Sequence, residues 1–249
     1  MTVKRILIFT AFCLVASVIV ANRQFLKNIK MTGSNSVDCT AQKVCYLTFD
    51  DGPSRNTEKV LDVLKKYNVN ATFFLIGSEI GEEDTEVLER MQEEGHAIGL
   101  HSNVHDFDKI FIGVDACVKD YKTEQKMLND DYGILTNLFR FPGGSACTYM
   151  NGQRDSYIDA MQENGFICFD WHVSGEDSVG NPTVYSIQKN VSDTVFKYES
   201  PIILLHDSGI ADVTVDALPG IIESMQEENY IFKTLEERDE YIFRRKAAR

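Results

Sequence analysis

Two adjacent carboxylates, Asp50 and Asp51, close the run Thr48-Phe49-Asp50-Asp51-Gly52-Pro53, which ends an apolar stretch beginning at Val44. Val44 to Phe49 is rich in strand-forming residues and Gly52-Pro53 is a strong turn signal, so both acids fall at the end of a strand. Strand side chains alternate in direction, which predicts that the two carboxylates point apart and do different work. Further along, His101-Ser102-Asn103-Val104-His105 follows the apolar Ile98-Gly99-Leu100. Histidines four apart share one face of a helical turn and can offer two imidazole nitrogens to a single ion. Asp51 would be the third ligand. A set of two histidines and one carboxylate leaves positions open for water and suits catalytic Zn²⁺, although Fe²⁺ takes the same set.

Two further motifs have the same character. Phe139-Arg140-Phe141-Pro142-Gly143-Gly144 puts an arginine where a strand gives way to a tight turn, and Ile202-Ile203-Leu204-Leu205-His206-Asp207 ends an apolar strand in a histidine and an acid. Singly, each residue has a plain alternative: a solvated turn, a surface ion pair, a capped strand end. A chain that merely folds has no need to gather acids, histidines and an arginine at the ends of successive apolar strands.

Taken together and in this order, the TFDDGP, HSNVH, RFPGG and LLH runs resemble those of the polysaccharide deacetylases, the NodB-homology carbohydrate esterases, over roughly residues 44–235. The resemblance implies that Asp51, His101 and His105 hold a divalent metal, Zn²⁺ foremost, with Co, Ni, Mn or Fe as alternatives. Such an ion polarises the acetyl carbonyl and activates water. Asp50 would be the general base, His206 the general acid for the leaving amine, and Arg140 the partner that orients Asp50. The backbone N–H of Gly143 would donate to the developing oxyanion, and Leu204 would line the pocket for the acetyl methyl. One family segment departs from its usual form. Where Asp-x-x-Asp-Trp is common, this chain has Ser174 at the first acid, Asp177 at the second and Ser178 at the tryptophan. Asp177 could pair with Arg140 or hold His206 in its tautomer. Trp171, the single tryptophan, could replace the missing ring or belong to the core. Gly143 stands where an aromatic is frequent, which predicts a more open groove there.

Strand and helix signals alternate along the chain. A capped amphipathic helix is expected from Thr57 through Tyr67, strands at 71–76, 97–100, 138–141, 166–169, 202–205 and 230–232, and helices near 86–94, 114–128, 157–164, 183–197 and 215–228. Such alternation argues for an α/β fold with a parallel sheet, and active residues at strand ends suit a barrel. The resemblance implies a distorted (β/α) barrel with fewer than eight regular units.

Lys4 and Arg5 precede an uncharged apolar run from Ile6 to Ala21. Ile19 occupies the place where a cleavage site wants a small residue, so residues 1–21 are read as a membrane anchor, with a cleaved signal peptide as the alternative. Residues 22–43 read as a polar linker, 44–240 as the catalytic domain and 241–249 as a basic tail. Residues 1–43 are basic, whereas the whole chain carries a formal charge of −13, so the remainder is strongly acidic. That balance argues against nucleic acid as a partner. Of the chain's six cysteines, Cys39 with Cys45 and Cys147 with Cys168 could bridge in an exported protein, or all could be buried thiols. The expectation is therefore a monomeric, membrane-anchored, extracytoplasmic deacetylase of N-acetylated glycans, with peptidoglycan leading. Xylan O-deacetylation, chitooligosaccharide deacetylation and an inactive sugar-binding module are the alternatives.

Overall fold

The computed structural model describes residues 43–238. The expected anchor at 1–21, nearly all of the linker, Cys39 and the basic tail lie outside the described residues. Among the described residues no helix is long and apolar enough to cross a membrane.

The chain alternates strand and helix as its pattern predicts: β1 (Lys43–Gly52), α1 (Arg55–Tyr67), β2 (Ala71–Leu75), α2 (Thr85–Glu93), β3 (Ala97–Leu100), α3 (Phe107–Ile110), α4 (Val114–Tyr132), β4 (Leu138–Phe139), α5 (Arg154–Glu163), β5 (Ile167–Cys168), β6 (Val173–Ser174), α6 (Val184–Val195), β7 (Ile202–His206), α7 (Asp212–Glu227) and β8 (Tyr230–Phe232). All strand pairs are parallel, in the order β5-β4-β3-β2-β1-β7-β6, with β8 paired to the first residues of β1. The terminal strands β5 and β6 do not pair with each other, so the sheet is a curled half-barrel and not a closed ring.

Alternation along the strands divides the core. Leu47 and Phe49 of β1, Phe73 and Leu75 of β2, and Ile203 and Leu205 of β7 pack with Val60, Leu61 and Leu64 of α1 and Ile221 and Ile222 of α7 in the main cluster between sheet and helices. The opposite face carries a smaller cluster of Tyr46, Phe74, Leu138, Phe169 and Ile202, with Leu235 joining it from beyond β8. Thr48 and Asp50 share that second face with Leu204 and His206, which puts polar chemistry on the concave side.

Helix α1 begins two residues before the expected cap. Ser54, not Thr57, is its N-cap: the Ser54 side chain accepts from the Asn56 N–H, while Thr57 returns a bond to the Ser54 N–H at 2.8 Å. The strands expected at 138–141 and 166–169 shorten to two residues each. The described cysteines, Cys45, Cys117, Cys147 and Cys168, are free thiols, so Cys147 and Cys168 are not bridged, while Cys39 of the other expected pair lies outside the described residues.

Candidate active site

At the end of β1 the ladder slips. Asp50 pairs with Phe74 and the next partner, Leu75, faces Gly52, which leaves Asp51 as an extra residue at φ 72°. A bulge of this kind re-aims a side chain. Asp50 stays buried and Asp51 turns toward the opening, half-buried, so the two acids do diverge, through the bulge more than through plain alternation. Asp207 secures this turn. Its N–H donates to the Asp50 carbonyl, its carbonyl accepts from the Ser54 hydroxyl, and its carboxylate accepts from Thr57 Oγ1. A Cβ on residue 52 would stand 2.6 Å from that carboxylate, so only glycine allows the approach. Burial raises the Asp207 carboxyl to about 7 despite the opposing bond from Thr57.

The two histidines come together without a helix. The segment from His101 to Asp106 is irregular, with Ser102 at φ 79° and His105 at φ 46°, and α3 starts only at Phe107. The helical turn expected from their four-residue spacing is therefore replaced by a loop with two left-handed residues. Asp51 Oδ1 lies 3.5 Å from His101 Nε2 and 3.3 Å from His105 Nε2. His101 Nδ1 is 3.0 Å from the Arg140 carbonyl, which can only accept, so the ring proton sits on Nδ1 and the Nε2 lone pair faces Asp51. Burial pushes His101 down to about 3, outweighing the charge of Asp51, and keeps it neutral as a ligand must be. The donor atoms of Asp51, His101 and His105 lie within 4.8 Å of one another. Two imidazole nitrogens and a carboxylate oxygen in that space fit a divalent transition metal with open positions, and they do not choose among Zn²⁺ and its rivals.

Arg140 is fully buried behind the triad. Its guanidinium donates to Asp50 Oδ1 at 2.7 Å, Thr48 Oγ1 at 2.8 Å and the Phe169 carbonyl at 2.9 Å, with a longer bond to the Asp170 carbonyl. Phe74 and Trp171 flank it, their ring centroids 4.3 and 5.6 Å from Cζ. Trp171 packs against the smaller core cluster and lies beside the arginine. A side chain at Gly144 would run into that indole at 2.8 Å. Burial raises Asp50 above the usual carboxylate range, and Arg140 pulls back against it.

On the other flank, β1 and β7 pair Asp50 directly with His206. Asp177, in the loop after β6, accepts from the His206 ring at 2.9 Å through Oδ1 and from its backbone N–H at 2.8 Å through Oδ2, which also accepts from Thr214. Of the two partners open to Asp177, the structure pairs it with His206. Burial alone would lower this imidazole, but the hydrogen bond and charge of Asp177, with the charges of Asp50 and Asp51, raise it to about 9. Leu204, one layer deeper on the same face, is buried. Gly143 has φ 70°, and the ring of Phe107 stands 3.4 Å from where its Cβ would be, so the space expected to be open beside Gly143 is covered.

Thr48, inside the first motif, was given no role there but holds Arg140, and other supporting residues carried no motif: Tyr121 donating to the Arg140 carbonyl at 2.9 Å, Thr214 against Asp177, and Asp120 and Glu124 against the histidine loop. One had a legible signal. Glu124 interrupts the buried stripe Cys117, Tyr121, Leu128 of α4, and a carboxylate in such a stripe needs a polar partner.

The geometry agrees with comparisons to known proteins. The family profile described as Polysaccharide deacetylase matches residues 37–166. A peptidoglycan-N-acetylglucosamine deacetylase of Bacillus cereus is 31% identical over 226 residues, which is 89% of this chain and 80% of the relative. The crystal structure of the catalytic domain of peptidoglycan N-acetylglucosamine deacetylase from Eubacterium rectale superimposes with a TM-score of 0.72 at 30% identity, covering 82% of this chain and 93% of that one. A CE4 esterase of Streptococcus mutans gives 0.71 at 29% identity, covering 78% and 86%. With its catalytic-type residues at the strand ends of the same curled sheet, the chain belongs to the polysaccharide deacetylase family of hydrolases.

Proposed function

We propose that this deacetylase removes N-acetyl groups from N-acetylglucosamine-type units of an extracytoplasmic glycan, with peptidoglycan as its substrate, and that residues 6–21 tether it to the membrane. The observation that carries the reading is the flanking of one candidate metal triad by two differently tuned groups: Asp50 held by Arg140, and His206 held by Asp177. The peptidoglycan-N-acetylglucosamine deacetylases among its relatives support the choice of polymer.

Asp51, His101 and His105 would hold the ion, Zn²⁺ foremost. Such an ion supplies Lewis acidity for an acetyl carbonyl and a local positive charge that eases deprotonation of water. Asp50 accepts the proton that water loses as its oxygen bonds to the acetyl carbon, and Arg140 keeps that carboxylate ionised and aimed. His206, charged at neutral pH, gives its proton to the amine nitrogen as the C–N bond breaks, so acetate and a free amine leave. The Gly143 N–H donates to the carbonyl oxygen as it gains charge, and Leu204 receives the acetyl methyl. Trp171 packs behind Arg140 and closes the floor of the site.

The test is acetate release by the full-length protein, metal-depleted and then given Zn²⁺, on N-acetylated peptidoglycan, chitooligosaccharides and acetylated xylan. Zn²⁺-restored release from peptidoglycan is expected. Release confined to xylan or to chitooligosaccharides would overturn the substrate, and bound metal with no release from any would overturn catalysis in favour of a sugar-binding role.

A further inference from the structure

The histidine loop is held from behind by α4. Asp120 Oδ2 accepts from the Ser102 hydroxyl at 2.7 Å and from the Asn103 N–H at 2.9 Å. Ser102 has a single hydroxyl proton, and giving it to Asp120 leaves the oxygen lone pairs facing the other way. One of them accepts the His105 N–H at 3.0 Å. The sequence Asp120 carboxylate, Ser102 hydroxyl, His105 amide is therefore a directed chain of three groups that ends on a candidate ligand. One turn further along α4, Glu124 reaches the His101 N–H at 3.3 Å, and Tyr121 donates to the carbonyl that fixes the His101 ring.

The loop needs such support. Ser102 and His105 both occupy the left-handed region, a costly conformation that a non-glycine residue keeps only where its surroundings over-determine it. The two positive φ values bring His101 and His105 to the same side despite the absence of a helix, with ring centroids 5.1 Å apart. The Asn103 carbonyl is tied as well, accepting from the Ser78 N–H at 2.7 Å, and the Ser102 carbonyl accepts from Gly77 at 3.2 Å. Those bonds hold the backbone of residues 102 and 103 from the β2 side. Asp120 ties the Ser102 side chain and the Asn103 backbone from the α4 side, and its carboxylate polarises the hydroxyl that reaches His105.

We infer that Asp120 is a positioning residue for the metal site: through Ser102 it holds the left-handed loop that aims His105 beside His101, and so sets the affinity for the ion. The inference rests on the reading of Asp51, His101 and His105 as metal ligands. Partners of this kind, one bond removed from the ligand, typically change metal affinity 10- to 100-fold when lost.

The experiment uses the full-length protein with Asp120→Ala and Asp120→Asn, and reads Zn²⁺ affinity by competition with a chromogenic chelator. The visible absorption of the Co²⁺ form and the melting temperature of the metal-free form are read beside it. Asp120→Ala is expected to bind Zn²⁺ about 10- to 100-fold more weakly, with an altered Co²⁺ band, and Asp120→Asn, which keeps an acceptor but not the charge, to bind it less weakly than Asp120→Ala yet more weakly than wild type. Zn²⁺ affinity within twofold of wild type in a folded Asp120→Ala protein overturns the inference. If Asp120→Ala does not fold, Asp120→Asn decides: affinity and Co²⁺ spectrum equal to wild type overturn it. Absence of Zn²⁺ binding in the wild-type protein would overturn the metal site itself, a failure distinct from wild-type affinity in the variants.

Discussion

Replacing Asp177 by Asn should move the alkaline limb of the activity profile by more than any other single change at this site. Asp177 contributes to His206 both a hydrogen bond and a charge, and these, with the charges of Asp50 and Asp51, outweigh the burial that alone would lower the imidazole. Asparagine keeps a similar shape and one acceptor but removes the charge, so His206 should fall from about 9 to the ordinary 6.5 or lower. At 1.36 kcal/mol per pKa unit that difference is about 3 kcal/mol in favour of the imidazolium. At pH 8 a group titrating near 9 is about 90% charged and one near 6.5 about 3%, so a reaction that needs the charged form should slow about thirtyfold. A bound cation would offset the pull of Asp51 on both proteins alike, leaving the difference between them. The assay is kcat/KM for acetate release from pH 5 to 10 in both proteins at saturating Zn²⁺, with bound metal measured in each. A displaced alkaline limb with much of the activity recovered near pH 6 is expected. A rate lowered equally at every pH, with the limb where wild type has it, would refute the assignment of His206 as the acid and of Asp177 as the group that charges it.

Other perturbations separate the remaining roles. Asp50→Asn should abolish acetate release while leaving Zn²⁺ content intact, whereas His101→Ala should lose metal and activity together; metal analysis beside the assay distinguishes them, and full activity in Asp50→Asn would remove it from the mechanism. Arg140→Met should destabilise the fold by about 3–5 kcal/mol, because it leaves the buried Asp50 without its countercharge, and denaturant unfolding measures this. The Asp207 carboxyl, raised from 3.8 to about 7, contributes stability that is fully present below about pH 4 and is lost as pH climbs through 7. Asp207→Asn should flatten that fall, seen as a smaller drop in melting temperature between pH 5 and pH 8 than wild type shows; an equal drop would place the titrating group elsewhere.

How much of this was legible depended on what kind of signal each residue left. Asp50, Asp51, His101, His105, Arg140 and His206 stood out because reactive side chains were set at the ends of apolar runs, and those runs became strands or their immediate exits. Spacing alone misled at His101 and His105, where four residues suggested a helical turn and two positive φ values achieve the same meeting. Strand β6 has only two residues, too few for any periodicity to register. Asp120 and Thr214 left no trace, since a polar residue on a helix gives no local sign of what lies across from it in the fold. Asp177 was placed by its motif, but its choice of His206 over Arg140 depended on β6 lying beside β7 and on Arg140 being filled by Asp50, Thr48 and two carbonyls.

The buried guanidinium of Arg140 has a practical corollary for handling the protein. Its partners are Thr48, Asp50 and the carbonyls of Phe169 and Asp170, with Phe74 and Trp171 on its faces, and none of Asp51, His101 or His105 is among them. Asp50, the proposed proton acceptor, is thus aimed by a cage that does not include the candidate metal ligands. Stripping the metal should leave a dormant tool and not a damaged one. Reactivation on adding Zn²⁺ to the chelated protein should run at the speed of ligand exchange, without a lag for rebuilding the site.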